Sequence, residues 1–407
     1  NETIQQALTD KIRHIPIIDQ NGKLVDYASR YRYRHIPLAE PRLDGNELAY
    51  VTDCISTNWI SSQGKYVNQF EDMFSEYTQG NEAIAVSNGT VALHLALEAL
   101  GVGSGDEVIV PDFTFAASIN AILHAGATPV LVDVDIETWT IDLGEIEKAL
   151  TNKTKAIMPV HLYGHPCDMD AIMKVAHSHN LFVIEDCAEA VGSYYRDKHV
   201  GVFGDAATFS FFGNKTITTG EGGMVLFRDQ TVANRARKLR DHGMSPKKRY
   251  WHDVIGYNYR LTNIQAAIGV AQMERIEYFV QHKRDLAISY HQALGSIEEI
   301  RLPSEAEWAK SSYWLYTILL NDDIQIGRDD LIQRLLMNGI EARPVFHPMH
   351  VMPPYSSFRG KRSFENTEFI TRRGISLPSA STITESQIQE IASIIRNNLR
   401  TKKLYAS

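Results

Sequence analysis

Between about residues 80 and 230 one pattern repeats along the chain. Short runs of β-branched and other apolar residues alternate with longer amphipathic stretches. AIAVS (83–87) precedes TVALHLALEALG, EVIVP (107–111) precedes FAASINAILHAG, TPVLVDV (128–134) precedes LGEIEKAL, and AIMPVHLY (156–163) precedes DMDAIMKVAHSH. LFVIEDC (181–187), ATFSFF (207–212) and GMVLFR (223–228) then follow at short intervals. Strands this uniformly apolar are buried on both faces, as in a sheet covered by helices. Regular alternation of strand and helix predicts a doubly wound α/β core with a mostly parallel sheet. Ligands of such sheets bind beyond the carboxyl ends of the strands. Those ends carry Ser87-Asn88-Gly89-Thr90, Asp112, His161, Asp186 and Ser210.

After about residue 275 the texture changes. SSYWLYTILL (311–320) predicts a strand, RDDLIQRLLMNG a helix ending at Gly339, and ESQIQEIASIIRNNL (385–399) a terminal helix. The proline-bearing stretches RPVFHPMHVMPPY and SLPSAS read as loops. The first 35 residues stand apart. IPIID, a Gln-Asn-Gly turn and KLVDY resemble the end of a cystathionine-β-synthase-type repeat, of which only part is present. This reads as a structural remnant or an oligomer contact. The expected division is an N-terminal extension (1–35), a large α/β domain (36–270) and a smaller α+β domain (271–407).

Composition acts here by exclusion. The chain has 407 residues, 44% hydrophobic and 22% charged, with a net charge of −8. That balance argues against a nucleic acid or an anionic membrane held by bulk electrostatics. No run of eighteen apolar residues spans a bilayer. NETIQQALTDKIRH reads as a polar amphipathic stretch and not as a signal peptide. Cys54, Cys167 and Cys187 are too few and too scattered for a disulfide framework or a cysteine-rich zinc site. The expectation is a cytoplasmic protein with free thiols and no metal centre.

The chemistry centres on FSFFGNKTITTGEGG (209–223), where an apolar strand runs into Lys215 and then into small residues. A lysine after a strand is ordinarily a solvated surface charge. A P-loop needs glycine directly before the lysine, and Asn214 stands there instead. The other strand ends give Lys215 its context. Asn88-Gly89-Thr90 opens a helix whose free N–H groups suit an anion, although Gly-Thr is also a plain helix start. Ser210 can add a hydroxyl to the same anion. Asp186 ends a strongly apolar strand and needs a cationic or hydrogen-bonding partner, or else caps the next segment. Phe115, in DFTFAAS, can stack on a flat ring or pack in the core. Anion site, stacking ring, acid for a ring nitrogen and strand-end lysine together describe a site for pyridoxal 5′-phosphate. Burial and a nearby cationic ring would lower the lysine pKa, so that its free amine can shuttle protons.

With these residues in view, the sequence resembles the sugar-nucleotide aminotransferases, pyridoxal-phosphate enzymes of fold type I. The matching segments are NGTVALHLALEALGVGSGDEVIVPDFTF, HLYGHPCDMD, VIEDCAEAVG, FSFFGNKTITTGEGG and RDHGMSPKKRYWHDVIGYNYRLTNIQAAIG. The resemblance covers roughly residues 36–402. It implies that Lys215 carries the cofactor as a Schiff base and that Asp186 pairs with the pyridine nitrogen. Glu189 then sits near the ring hydroxyl, Gly89, Thr90 and Ser210 bind the phosphate, and Phe115 stacks on the ring. Asn258, in GYNYR, would reach the cofactor phosphate of a neighbouring subunit, making a homodimer with shared active sites. Trp59 and the segment bearing Arg343, His347 and His350 are expected along the sugar-nucleotide wall, where packing or loop hydrogen bonding is the competing role. Lys247 and Lys248 read as solvated charge.

Within the family, GNKTITTGEGG and HGMSPKKRYWHDVIGYNYR look most like the GDP-perosamine synthase branch. That resemblance implies amination of C4 of a GDP-linked 4-keto-6-deoxy sugar, with L-glutamate as donor, by a ping-pong route in O-antigen lipopolysaccharide biosynthesis. A UDP- or dTDP-linked keto sugar, aminated at C4 or C3, is the alternative. A cofactor-binding regulatory protein without turnover is a third reading. Sugar-3-dehydratase relatives replace the lysine with histidine, and Lys215 is intact here.

Overall fold

The structure is a computed structural model describing residues 14–29, 36–79, 82–322, 324 and 326–400. The reading of residues 1–13 as amphipathic lies outside these.

The apolar runs form one seven-stranded sheet. In chain order its strands are β1 (Glu82–Val86), β2 (Glu107–Pro111), β3 (Thr128–Val132), β4 (Thr154–Ile157), β5 (Phe182–Asp186), β6 (Ala206–Ser210) and β7 (Gly223–Phe227). Their order across the sheet is β1-β7-β6-β5-β4-β2-β3. β7 runs antiparallel to both its neighbours, while the pairs from β6 to β3 are parallel. Six carboxyl ends therefore open on the same edge. The period of two sorts each strand's side chains between the faces. Ile84 and Val86 pack with Leu93 and Ala96 of the helix Gly89–Leu100, whereas Ala83 and Ala85 face Phe70 and Phe74 of the helix Lys65–Tyr77. Both faces are dry, and each fully buried Phe or Ile contributes about 2 kcal/mol.

Two strands are only about half as long as the sequence pattern predicts. β4 stops at Ile157. Beyond it, Pro159, which has no N–H to give, accepts from Asp186 through its carbonyl, and Leu162–Gly164 turns away with Tyr163 at φ 52. In SSYWLYTILL only Tyr316–Leu320 pairs, so Ser311–Leu315 is a loop.

The second unit has an antiparallel sheet ordered Ile300–Arg301, Tyr316–Leu320, Gly374–Leu377, Arg343–Pro344. Helices Ile276–Leu294, Arg328–Met337 and Glu385–Arg400 cover it, with Tyr290 stacked on Tyr316 at 4.6 Å in the core. The helix Ile276–Leu294 bridges the two cores: Phe279 and Val280 belong to the first and Leu286 and Tyr290 to the second. Ile36 also joins the second unit, through backbone hydrogen bonds to Gly339 and Glu341. Near the N-terminus, His14–Ile18 and Leu24–Ser29 form the expected strand–turn–strand hairpin, with Asp19 accepting from the Asn21 and Lys23 N–H groups. Among the described residues no helix is long and apolar enough to cross a membrane.

Candidate active site

Lys215 follows β6 by way of a tight turn, its N–H donating to the Phe212 carbonyl. The turn drops the side chain back over the carboxyl edge, where it is mostly buried. Nζ lies 3.6 Å from Glu189 Oε1 and 3.7 Å from the centre of the Trp314 ring. Burial pushes the amine below the usual lysine range, against the opposing pull of Glu189 and Asp186.

Asp186 ends β5 and is 5% exposed. Its Oδ2 accepts from the Ser118 hydroxyl at 2.8 Å and its Oδ1 from the Ala188 N–H at 3.1 Å. Ser118 is oriented in turn by Thr114, 2.9 Å away. Burial raises the Asp186 pKa in spite of these donors and of Lys215. Glu189 accepts from the Tyr163 N–H at 2.9 Å, and its pKa is likewise raised by burial. Two buried acids thus share one ammonium.

The anion cradle forms where β1 meets the helix Gly89–Leu100. Asn88 caps that helix by accepting from the Val91 N–H at 3.0 Å, which leaves the Gly89 and Thr90 N–H groups at its open end. A Cβ on Gly89 would come within 2.9 Å of Ser210 Cβ and 3.2 Å of its Oγ. Glycine is what brings the two strand ends this close.

Aromatic rings line the remaining side. Phe115 begins the helix Ala116–His124, so the same helix that supplies Ser118 to Asp186 presents this ring, 59% exposed. Phe115 touches Phe346 at 5.6 Å, Phe346 stacks on Tyr163 at 5.5 Å, and Tyr163 stacks on Trp314 at 6.0 Å and 10°. Phe346 and Trp314 belong to the second unit, so the site is closed by both. Sequence reasoning missed Ser118, Tyr163 and Trp314. Ser118 hides in a helix with no motif of its own. Trp314 fell in a stretch read as strand, and it meets Lys215 only through the tertiary fold.

The sequence-derived residues are not all gathered here. Gly89, Thr90, Asp186, Glu189, Ser210 and Lys215 converge, with Phe115 at the mouth. Trp59 is exposed on the loop after the helix Glu47–Ser56, its carbonyl accepting from Asn263. Asn258 is exposed, with its backbone bridged to Asp241. Arg343 pairs with Glu341 on the edge of the second sheet. His347 lines an open groove with Arg328, Glu368 and Arg372. His350 is not a wall residue: it is buried, donating its N–H and placing Nδ1 against Asp112 at 2.8 and 2.6 Å. Lys248 lies over the Trp251 ring at 4.0 Å.

Among the described residues His161, Glu185 and Cys187 are close enough to hold a metal ion, but their polar atoms are already engaged. Glu185 accepts from the Gly201, Phe203 and Gly204 N–H groups and faces His161 at 3.1 Å. His161 Nδ1 accepts from the Cys167 N–H, and its own N–H donates to the Asp186 carbonyl. The cluster is a prop behind Asp186.

Pyridoxal phosphate fits this donor set. A helix N-terminus and a hydroxyl meet at a glycine, a buried acid lacks a full cationic partner, and an amine stands between. Asn214 Oδ1, beside Lys215, is also buried without a hydrogen-bond partner among the described residues.

Comparison with known proteins agrees. The chain is 50% identical over 355 residues to GDP-perosamine synthase from Escherichia coli O157:H7, covering 87% of this chain and 96% of that protein. It is 49% identical over 357 residues to the Caulobacter vibrioides GDP-perosamine synthase, covering 88% and 96%. Its fold is similar to that of the putative sugar aminotransferase Spr1654 from Streptococcus pneumoniae in its PLP form. There the TM-score is 0.85 at 28% identity, over 90% of this chain and 99% of that one. The family model described as DegT/DnrJ/EryC1/StrS aminotransferase matches residues 41–396. With the lysine, the paired acids and the helix-start cradle in one cleft and most of its length matched, the chain belongs to the DegT/DnrJ/EryC1/StrS aminotransferase family.

Proposed function

We propose that this protein moves an amino group from L-glutamate to C4 of a GDP-linked 4-keto-6-deoxy sugar, with pyridoxal phosphate as cofactor. The observation that carries the aminotransferase chemistry is the convergence of Lys215, Asp186 and Glu189 beside the Gly89–Ser210 cradle. The GDP sugar rests on the likeness to two GDP-perosamine synthases over nearly their whole length.

In this reading the Gly89 and Thr90 N–H groups and the Ser210 hydroxyl hold the cofactor phosphate. Asp186, oriented by Ser118, faces the ring nitrogen; Glu189 faces the ring hydroxyl; Phe115 covers the ring. When bound, the cofactor supplies an electron sink for the carbon that gains or loses a proton. Lys215 Nζ, less basic than usual because it is buried, takes that proton from one carbon and returns it to another. The same amine serves both halves of a ping-pong exchange, in which glutamate leaves as 2-oxoglutarate before the keto sugar is aminated.

The working unit in this reading is a homodimer. Trp59, Ile60, Tyr250, Trp251 and Ile255 are large and exposed, and Asn258 lies close to the last three in the chain. Asn258 would cross to the partner's cofactor phosphate. Trp59, Arg343 and His347 are proposed as contacts for the sugar nucleotide, the large domain as residues 36–270, and the N-terminal hairpin as an oligomer contact.

The test offers the purified protein glutamate with GDP-4-keto-6-deoxymannose or UDP-4-keto-6-deoxy-N-acetylglucosamine, following 2-oxoglutarate and the amino sugar by mass spectrometry. Turnover of the GDP sugar alone is expected. Turnover of the UDP sugar alone would overturn the nucleotide assignment and leave the aminotransferase chemistry standing.

A further inference from the structure

We infer that Trp314 is a positioning residue for Lys215: the second unit supplies an aromatic face that holds the lysine ammonium over the site. The inference rests on reading Lys215 as the amine that takes the cofactor. Nζ stands 3.7 Å from the Trp314 ring centre, the tightest cation–ring approach among the described residues.

The indole is fixed from several directions. Its Nε1–H donates to the Asn214 carbonyl at 2.8 Å, tying it to the residue before Lys215. Its backbone carbonyl accepts from Lys283 Nζ at 2.9 Å. Its ring stacks on Tyr163, whose N–H holds Glu189. Lys283 lies on the helix that bridges the two cores and is buried, with no carboxylate at its amine among the described residues. It donates to the Trp314 and Ser379 carbonyls, and burial lowers its pKa to about 7. A buried amine is thus used to hold the loop that carries the indole.

A ring suits this post better than a second acid. The lysine must be an ammonium at one moment and a free amine the next. A carboxylate at hydrogen-bond distance would trap the ammonium. The ring quadrupole attracts the ammonium without accepting a directed hydrogen bond, and it leaves the nitrogen lone pair free once the proton is gone. Glu189, at 3.6 Å, is already too far for a short hydrogen bond. The charged and titratable groups facing this amine are Glu189 and Asp186, with the Tyr163 phenol beside the indole and Lys283 on the carbonyl side of Trp314. Because Trp314 comes from the second unit, any movement of that unit is felt at the lysine.

The test replaces Trp314 by 5-fluorotryptophan and by 5,6,7-trifluorotryptophan, which weaken the ring quadrupole while nearly preserving shape, and adds Trp314→Leu. Capture of pyridoxal phosphate by the cofactor-free chain is followed by absorbance against pH, with borohydride trapping and peptide mass spectrometry to locate it. Removing the ring's attraction should favour the neutral amine. The pH midpoint should fall stepwise with fluorination, by about half a pH unit in total. A midpoint unchanged across the fluorinated series would overturn the inference, whatever the leucine variant does. Failure of the parent chain to be trapped at Lys215 would instead overturn the reading of the lysine on which the inference rests.

Discussion

The carboxyl edge of the sheet has two halves built from similar residues, and they are used differently. On one half, the ends of β1, β5 and β6 bring Gly89, Asp186 and Ser210 around Lys215. On the other, the ends of β2 and β3 carry Asp112 and Asp133, which are also buried. Asp112 accepts from the His350 N–H and faces the His350 ring at 2.6 Å. Asp133 accepts from the Asn366 and Thr367 N–H groups and the Thr367 hydroxyl, holding the start of the helix Glu365–Arg373. Both use their lone pairs to bolt the second unit to the sheet. Asp186 receives one hydroxyl and one N–H from the protein and remains short of a cation. A strand-end aspartate is therefore told apart by which donors it lacks, since position and burial are shared.

Mutations separate the halves. Lys215→Ala should abolish amino transfer, by about a thousand-fold or more. Its melting temperature should fall, because Glu189 and Asp186 lose the ammonium they share. Asp186→Asn keeps the shape but cannot balance a cationic ring, so kcat/KM should fall about a hundred-fold or more. Asp133→Ala should do the reverse. It strands two helix-start N–H groups and should cost about 2 kcal/mol in urea unfolding, with little change in kcat of the folded fraction. If Asp133→Ala matched Asp186→Asn in kinetics and not in stability, the distinction between the halves would fail.

The smallest effect sharpens the comparison through pH. Burial raises the Asp112 pKa from 3.8 to about 6, against the pull of His350. Between those values the folded chain keeps a proton that the unfolded chain has released. Its contribution to stability is therefore fullest below the unfolded value and is lost as pH rises through about 6. Asp112→Asn should flatten that part of the stability profile, measured as melting temperature from pH 4 to pH 7.

The core strands were legible because each is a continuous apolar run, and burial on both faces leaves such runs little alternative. Lys215, Asp186 and the Asn88-Gly89-Thr90 turn were legible because they interrupt those runs where the sheet opens. Ser118 and Trp314 were not. Their roles depend on which helix lies over β5 and on how a loop some hundred residues beyond Lys215 folds back, and no local periodicity encodes either. His350 looked like a wall residue because its neighbours were loop-forming prolines; its burial follows from Asp112, far away in sequence.

The claim that the Lys215 half of the edge is a pyridoxal phosphate site is tested most directly by reductive trapping. The purified protein is incubated with pyridoxal phosphate, reduced with borohydride, digested and mapped by mass spectrometry. The account predicts one added mass, on the peptide containing Lys215, and its loss in Lys215→Ala. An adduct on Lys283 or on surface lysines alone, or no adduct at all, would contradict it.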